Sequence, residues 1–164
     1  MMEHRIEMLP ETTLVGLGLT MSFANNRTGE LWQRFMSRRN EIAATIGAER
    51  YSVQIYPPTF FESFHPEQEF KKWAAVCVSE SSLIPEGMEK IILPAGLYVV
   101  FHYNGSSADA PRVFAWIFGE WLPASAYELD DRPHFEILGE KYRNNHPDSE
   151  EEIWIPIKRK GTNP

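Results

Sequence analysis

The sequence lacks the short motifs that mark common catalytic and cofactor sites. It contains no phosphate-binding loop, no G-x-S-x-G nucleophile motif and no H-E-x-x-H zinc motif. The five histidines show no metal-ligand spacing, and His134 with Glu136 would supply too few ligands for a metal ion. The sequence therefore predicts neither a cofactor nor a metal.

Cysteine is almost absent as well. The single cysteine, Cys77, excludes an internal disulfide, and its two valine neighbours predict a buried, unreactive thiol. The N-terminal residues lack the apolar core of a signal peptide, and no apolar run approaches the roughly 20 residues that span a bilayer. These absences predict a cytoplasmic protein that does not cross a membrane.

Positive charge is scarce, and aromatic residues are abundant. Sixteen basic residues against 23 acidic ones give a net charge of −7. A negative surface repels phosphate backbones, which argues against direct nucleic-acid binding, although the same charge also serves solubility. Phe, Tyr and Trp make up 13% of the chain, and such rings can line a pocket as well as fill a core.

The first half of the chain predicts the order strand, helix, strand, strand. The first strand covers residues 14–23, and Thr28 is a candidate N-cap for a helix that runs to about residue 46. Alternating apolar residues predict a strand over residues 51–56, and a further strand is predicted over residues 72–79.

The second half predicts the same order. Residues 88–103 form one long strand or two, interrupted at residues 94–96. A helix is predicted over residues 111–121, followed by strands over residues 133–138 and 153–157.

The repeated order predicts a single domain over residues 1–164, with pseudo-repeats at about 10–80 and 88–158. Identity between the halves is slight, so this prediction depends on the order and spacing of elements. It gives an α+β fold in which duplicated βαββ units form an antiparallel sheet. Two helices pack on one face, and a ligand cleft lies between the repeats.

A family resemblance is concentrated after Met88. Its residues are L-P-A-G-L-Y-V-V-F at 93–101, Gly105, E-W-L-P-A-S-A-Y at 120–127, Pro133, Phe135, Glu136 and E-I-W-I-P-I at 152–157. They resemble the GyrI-like small-molecule-binding family, the effector-binding domain of AraC- and MerR-type transcription regulators. The order of elements matches that family over nearly the whole chain.

The resemblance implies a duplicated βαββ fold in which Glu136 is the acidic residue of the cleft. Trp154 stands where the family often has a tyrosine on its last strand, and Leu138 replaces another common tyrosine. Family regulators join this domain to a helix-turn-helix region. Since the first strand is predicted within about fifteen residues of Met1, the chain is similar to a stand-alone member.

Glu136 is the main candidate site residue. It shares one face of an apolar strand with His134 and Leu138. Because charged side chains are rarely buried without a partner, Glu136 faces either solvent or a cavity that receives a partner. In a cavity, a carboxylate among rings would attract a cation. The residues alone leave both orientations open, and the resemblance favours the cavity.

Most of the other candidate ligand-binding residues are aromatic. Trp154 alternates with Ile153 and Ile155, so it lies on an exposed sheet face or in the cleft. Trp73 is a similar candidate in the first half, with core packing as its alternative. The remaining candidates are His134, Tyr56, Phe23 and Tyr103.

The sequence thus predicts a stand-alone protein that binds an amphipathic organic molecule, cationic if Glu136 acts through its charge. Two alternatives stay open. The protein could hydrolyse reactive cyclopropane-bearing toxins with Glu136 as general base, or it could be an inhibitory interaction protein that acts on gyrase or another partner. A protein partner and a homodimer are left open by the sequence.

Overall fold

Nine strands and two helices follow one another in the computed structural model, which describes residues 2–161. The strands are β1 (Glu3–Leu9), β2 (Thr12–Met21), β3 (Thr45–Ile55), β4 (Phe70–Val78), β5 (Glu89–Leu93), β6 (Gly96–Asn104), β7 (Tyr127–Leu129), β8 (His134–Leu138) and β9 (Glu150–Arg159). The helices are α1 (Thr28–Arg38) and α2 (Ala110–Trp116). Helix α2 continues through a π-helical turn, Ile117–Trp121, into a last turn, Leu122–Ala124.

Eight of these strands form one antiparallel sheet in the order β1-β6-β9-β8-β3-β4-β2-β5, and the short β7 pairs with β9. Strands β3 and β8 meet at the centre, where Ser52 lies opposite Glu136. The order is symmetric when β2-α1-β3-β4 is matched with β6-α2-β8-β9, as duplicated βαββ units would give. The predicted α+β class with an antiparallel sheet and two helices is confirmed, whereas the repeat boundaries stay a prediction.

The outer strands are exchanged between the two halves of the sheet. Strand β1 precedes β2 in the chain but pairs with β6, and β5 precedes β6 but pairs with β2. Only residues 10–11 connect β1 to β2, and only residues 94–95 connect β5 to β6. These short connections hold the two edges of the sheet close together, so the sheet curls over one of its faces. This enclosed face is filled by Leu9, Leu14, Val53, Trp73, Ala75, Ile91, Leu93, Tyr98, Val100, Phe135 and Trp154.

The two helices cover the other face, one on each half. Helix α1 buries Leu31 and Phe35 against β2 and β4. The segment that continues α2 buries Ile117 and Leu122 in a cluster with residues of β6 and β9. Between the helices lies a strip of sheet made by β3 and β8 with the adjoining residues of β4 and β9, which we call the floor of the cleft. None of the helices within residues 2–161 combines the length and apolarity needed to cross a bilayer.

The predicted end of the first helix is wrong. Helix α1 ends at Arg38 and a 3-10 turn follows over Arg39–Glu41, instead of a helix to about residue 46. Strand β3 already begins at Thr45, where it pairs with Val78, so sheet pairing overrides the helical spacing of the apolar residues. Thr28 begins the helix, but Arg27 occupies the N-cap position without a side-chain cap.

Four strands differ from the sequence predictions in existence or by several residues in length. Strand β3 begins at Thr45 instead of residue 51. Strands β1 and β7 were not predicted, since their residues alternate only weakly. Strand β9 extends from Glu150 to Arg159, into residues predicted to be a loop and a tail. The two-strand alternative for residues 88–103 is confirmed, because β5 and β6 are separate and the chain between them carries Pro94.

Candidate functional site

Glu136 lies on β8 at the centre of the sheet, on the face that carries the helices. Its neighbours Phe135 and Ile137 pack into the enclosed face, so strand alternation turns Glu136 and His134 toward the floor of the cleft. Ser52 lies opposite Glu136 on one side and Ile153 on the other. The carboxylate atom Oε2 is completely buried and has no hydrogen-bond partner within residues 2–161.

The surroundings of Glu136 disfavour its charge. Burial raises the pKa of Glu136, while the Lys72 ammonium and the Gln54 amide act in the opposite direction. Leaving a buried polar atom without a partner costs about 1–3 kcal/mol, and more for a charged group. The Oε2 atom, which lacks a hydrogen-bond partner within residues 2–161, therefore lies in a place suited to a further donor or cation.

Two further ionisable side chains belong to this floor. Lys72 on β4 pairs with Gln54 on β3, and its Nζ donates to Thr28 Oγ1 at 3.1 Å. Burial lowers the pKa of Lys72, against the attraction of the carboxylates. Glu151 lies on β9, and burial together with Glu136 raises the pKa of Glu151 to about 8, although Lys72 lowers it.

Aromatic rings cover the floor beside His134. Phe61, from the loop after β3, stacks on Phe118 of the π-helical turn with ring centroids 5.0 Å apart. Phe61 also stacks on His134 at 5.6 Å, and Tyr56 meets the edge of His134 at 4.9 Å. We call Phe61 and Phe118 the aromatic cover, because this contact joins the two halves of the molecule across the cleft.

The polar groups among these rings are neutral near physiological pH. Burial, together with Arg132, lowers the pKa of His134 to about 3, so its imidazole carries no charge. Burial and the nearby Glu136 raise the pKa of Tyr56 well above its usual value. The predicted site residues Tyr56, His134 and Glu136 are thus brought together in one apolar environment.

A cavity of about 250 Å³ lies next to the aromatic cover. Its wall shares Tyr56, Phe61 and His134 with the cover, so the cavity adjoins the floor from one side. The outer wall carries both acidic and basic side chains, namely Glu62, Asp130, Asp131, Arg132 and Lys158.

Two other predicted site residues lie further away. Phe23 is 51% exposed and packs on Phe60, Phe64 and Phe70 at the outer end of the first half. Tyr103 lies opposite Glu151 in the pairing of β6 with β9 and donates from its hydroxyl to the Ser106 carbonyl at 2.6 Å. Tyr103 therefore borders the floor, whereas Phe23 does not reach it.

The expected position of Trp154 has to be corrected, and of the two alternatives for Trp73 the structure shows core packing. Each is 5% exposed and belongs to the enclosed face, opposite the face of Glu136. Trp154 is paired with Phe135 and stacks on it with centroids 5.1 Å apart. Because Phe135 and Glu136 are consecutive, they point to opposite faces, and the sheet itself separates the two indoles from the carboxylate.

Comparison with known proteins shows the family to which the chain belongs. The sequence profile of the GyrI-like small molecule binding domain matches residues 2–158. The chain belongs to this GyrI-like family. The GyrI-like chain is 29% identical over 158 residues to the transcriptional regulator BrlR of Pseudomonas aeruginosa. The matched region covers 95% of this chain and 56% of BrlR. It is 30% identical over 100 residues to a DNA gyrase inhibitor of Erwinia billingiae, over 57% of the chain and 62% of that protein.

The GyrI-like chain therefore spans somewhat more than half the length of these two relatives. Among solved structures it is similar to SAV2435, whose structure was determined bound to tetraphenylphosphonium. The TM-score is 0.72 at 21% sequence identity, over 96% of this chain and 94% of SAV2435. This likeness confirms the α+β fold that the family resemblance implied.

Proposed function

We propose that this chain binds a lipophilic organic cation in the cleft between α1 and α2, with Glu136 as its charge partner. The proposal depends most on Glu136 Oε2, which is buried without a hydrogen-bond partner in the described chain. Lys72 and Gln54 compensate only part of the hydration that this carboxylate has lost, so a cation beside Oε2 would supply the missing interaction. The membership in a small-molecule-binding family and the tetraphenylphosphonium held by SAV2435 support this ligand class.

The rings around the carboxylate suit the rest of such a ligand. A lipophilic cation carries its charge behind aryl or alkyl groups, so it needs apolar surface together with one counter-charge. Tyr56, Phe61 and Phe118 supply that surface and cation–π attraction. His134 adds a neutral ring that does not repel the cation, because its pKa is lowered to about 3.

The aromatic cover determines how a ligand would enter. Phe61 lies on the loop between β3 and β4, whereas Phe118 lies on the segment that continues α2. The stacked pair bridges the cleft, so a ligand that reaches Glu136 from the adjoining cavity has to separate the two rings. We propose that each ring then stacks on the ligand instead of on the other ring.

Replacing Phe61 by alanine should weaken tetraphenylphosphonium binding by about 2- to 10-fold, because an aromatic contact contributes roughly 0.5–1.5 kcal/mol. Isothermal titration calorimetry measures the difference. Phe64→Ala is the matched control: Phe64 lies in the same loop, is 54% exposed and contacts Phe23 and Phe60. Unchanged affinity in Phe61→Ala, or an equal loss in both variants, would speak against the aromatic cover as part of the site.

Hydrolysis is a second candidate function, favoured by the position of Tyr56 next to Glu136. A phenol that stays protonated can donate a hydrogen bond to a substrate, while a carboxylate with a raised pKa can accept a proton from water. The candidate substrate is a reactive cyclopropane-bearing toxin. Product formation that is lost in both Glu136→Gln and Tyr56→Phe would support turnover, and saturable binding without product would support binding alone.

An inhibitory interaction with a protein such as gyrase is a further proposal. It is supported by the name of the Erwinia billingiae relative, whose similarity covers 57% of this chain. Mixing the purified chain with gyrase and following supercoiling would test it, since inhibition should appear without any added small molecule. We also propose a cytoplasmic location, which an interaction with gyrase would require.

A further inference from the structure

The floor of the cleft carries two carboxylates on one face of the sheet. Ile153 lies opposite Glu136 in the pairing of β8 with β9, and Glu151 precedes Ile153 by two residues. Glu136 and Glu151 are therefore diagonal neighbours, whose Cα atoms in such a pair lie about 7–8 Å apart. That separation lets two glutamate side chains converge on one small ligand group.

Groups from four neighbouring segments act on this pair. They are Lys72 from β4, Gln54 and Tyr56 from β3 and its following loop, Tyr103 from β6, and Tyr142 from the loop before β9, which also interacts with Arg50. His134 lies on the same face of β8 as Glu136. Burial raises the pKa of each of these tyrosines, and His134 is neutral near physiological pH. The ammonium of Lys72 is thus the positive charge that acts on both carboxylates.

One ammonium cannot balance two carboxylates. If both glutamates were ionised, this largely buried floor would hold an excess negative charge. Two neighbouring carboxyl groups in such a place do not ionise together, and the second one keeps its proton. The pKa of Glu151 reflects this, because burial and Glu136 raise it to about 8.

We propose that Glu136 and Glu151 share one proton in the ligand-free protein and that a cation entering the cleft displaces it. This inference rests on the proposed function, since it requires that a cation binds. No covalent bond to the ligand forms or breaks: one O–H bond of a carboxyl group is broken, its electron pair stays on oxygen, and the proton passes to the solvent. The floor is neutral before binding and neutral afterwards, since one positive charge replaces another.

The exchange distinguishes charged ligands from uncharged ones of the same shape. A neutral ligand gives no reason to release the proton, so its affinity should not change with pH. The affinity for a permanent cation should rise with pH, by up to roughly tenfold per unit below the carboxyl pKa, and should level off above it. The sign follows because the bound state holds fewer protons than the free state.

Isothermal titration calorimetry with tetraphenylphosphonium, carried out at about pH 7 in two buffers of different ionisation enthalpy, counts the protons released on binding. The wild-type chain should release close to one proton per bound cation, and Glu151→Gln should release almost none. Glu150→Gln is the matched control, because Glu150 precedes Glu151 on β9 and contacts His102 and Lys141 instead of the floor. Its proton release should equal that of the wild type.

The outcomes separate this inference from the proposed function. Binding of tetraphenylphosphonium without proton release in the wild type would overturn the exchange and leave the binding function intact. Equal proton release in the wild type and in a folded Glu151→Gln would overturn the role of Glu151. A wild-type chain that does not bind tetraphenylphosphonium in equilibrium dialysis would overturn the proposed function, and the exchange with it.

Discussion

Glu136→Gln should bind tetraphenylphosphonium roughly 10- to 100-fold more weakly than the wild type, because an interaction with a buried charged group contributes about 1.5–3 kcal/mol. Glutamine keeps the shape of the side chain, so the surrounding rings stay in place and the loss reports the charge. Isothermal titration calorimetry measures both affinities. The free energy of unfolding should stay the same or rise, since Oε2 of Glu136 makes no hydrogen bond within residues 2–161 and its burial is unfavourable.

A neutral aryl ligand provides the control for this substitution. Triphenylphosphine oxide has three of the same rings and no net charge, so the wild type and Glu136→Gln should bind it with affinities within about twofold of each other. Equal tetraphenylphosphonium affinities in the two proteins would reject Glu136 as the charge partner. Equal losses for both ligands would instead indicate that the variant has disturbed the shape of the cleft.

Trp154→Ala should lower the free energy of unfolding by about 3–5 kcal/mol, the usual cost of truncating a buried large aromatic side chain. Trp154 is 5% exposed, lies between Phe135 at 5.1 Å and Tyr98 at 5.7 Å, and donates from Nε1 to Glu152 at 3.1 Å. Truncation would leave a cavity in the enclosed face, which the folded sheet has little freedom to fill. Urea denaturation followed by circular dichroism measures the loss.

Trp154→Phe separates stability from binding. The smaller ring keeps part of the packing against Phe135, and the sheet lies between it and the cleft. Tetraphenylphosphonium affinity should therefore stay within about twofold of the wild type while the protein loses some stability. A folded Trp154→Phe that binds the cation much more weakly would show that the ligand touches the enclosed face after all.

The face on which Glu136 lies could be predicted from local sequence. In H-F-E-I-L the apolar Phe135 and Ile137 alternate with His134 and Glu136, so one face of β8 is apolar and the other is polar. The family resemblance identified the polar face as the cleft. The first inference uses only neighbouring residues on one strand, whereas the resemblance uses motifs spread over residues 93–157.

Lys72 and Glu151 could not be predicted as partners of Glu136. Lys72 follows Lys71, and Glu151 stands between two other glutamates, so both sequences fit exposed charges. Their common face with Glu136 depends on the order β9-β8-β3-β4, which pairs segments far apart in the chain. Phe61 was missed for a related reason, since a loop shows no periodicity from which to infer contact with Phe118.

The wrong prediction for Trp154 has a different physical cause. The prediction that Trp154 points away from Ile153 and Ile155 is confirmed, because Trp154 lies in the enclosed face and the two isoleucines lie in the cluster under α2. The mistake was to treat the opposite face of the sheet as open. Strands β1 and β5 exchange between the halves and bring the sheet edges together, and the polar sequence of β1 gives little indication of that pairing.

A crystal structure of the chain with tetraphenylphosphonium tests the central claim most directly. We expect the phosphonium between α1 and α2, on the same face of the sheet as Glu136, with its aryl groups against Tyr56 and His134 and with Phe61 separated from Phe118. A phosphonium bound anywhere else, with Phe61 still stacked on Phe118 and Glu136 Oε2 still without a partner, would contradict the account.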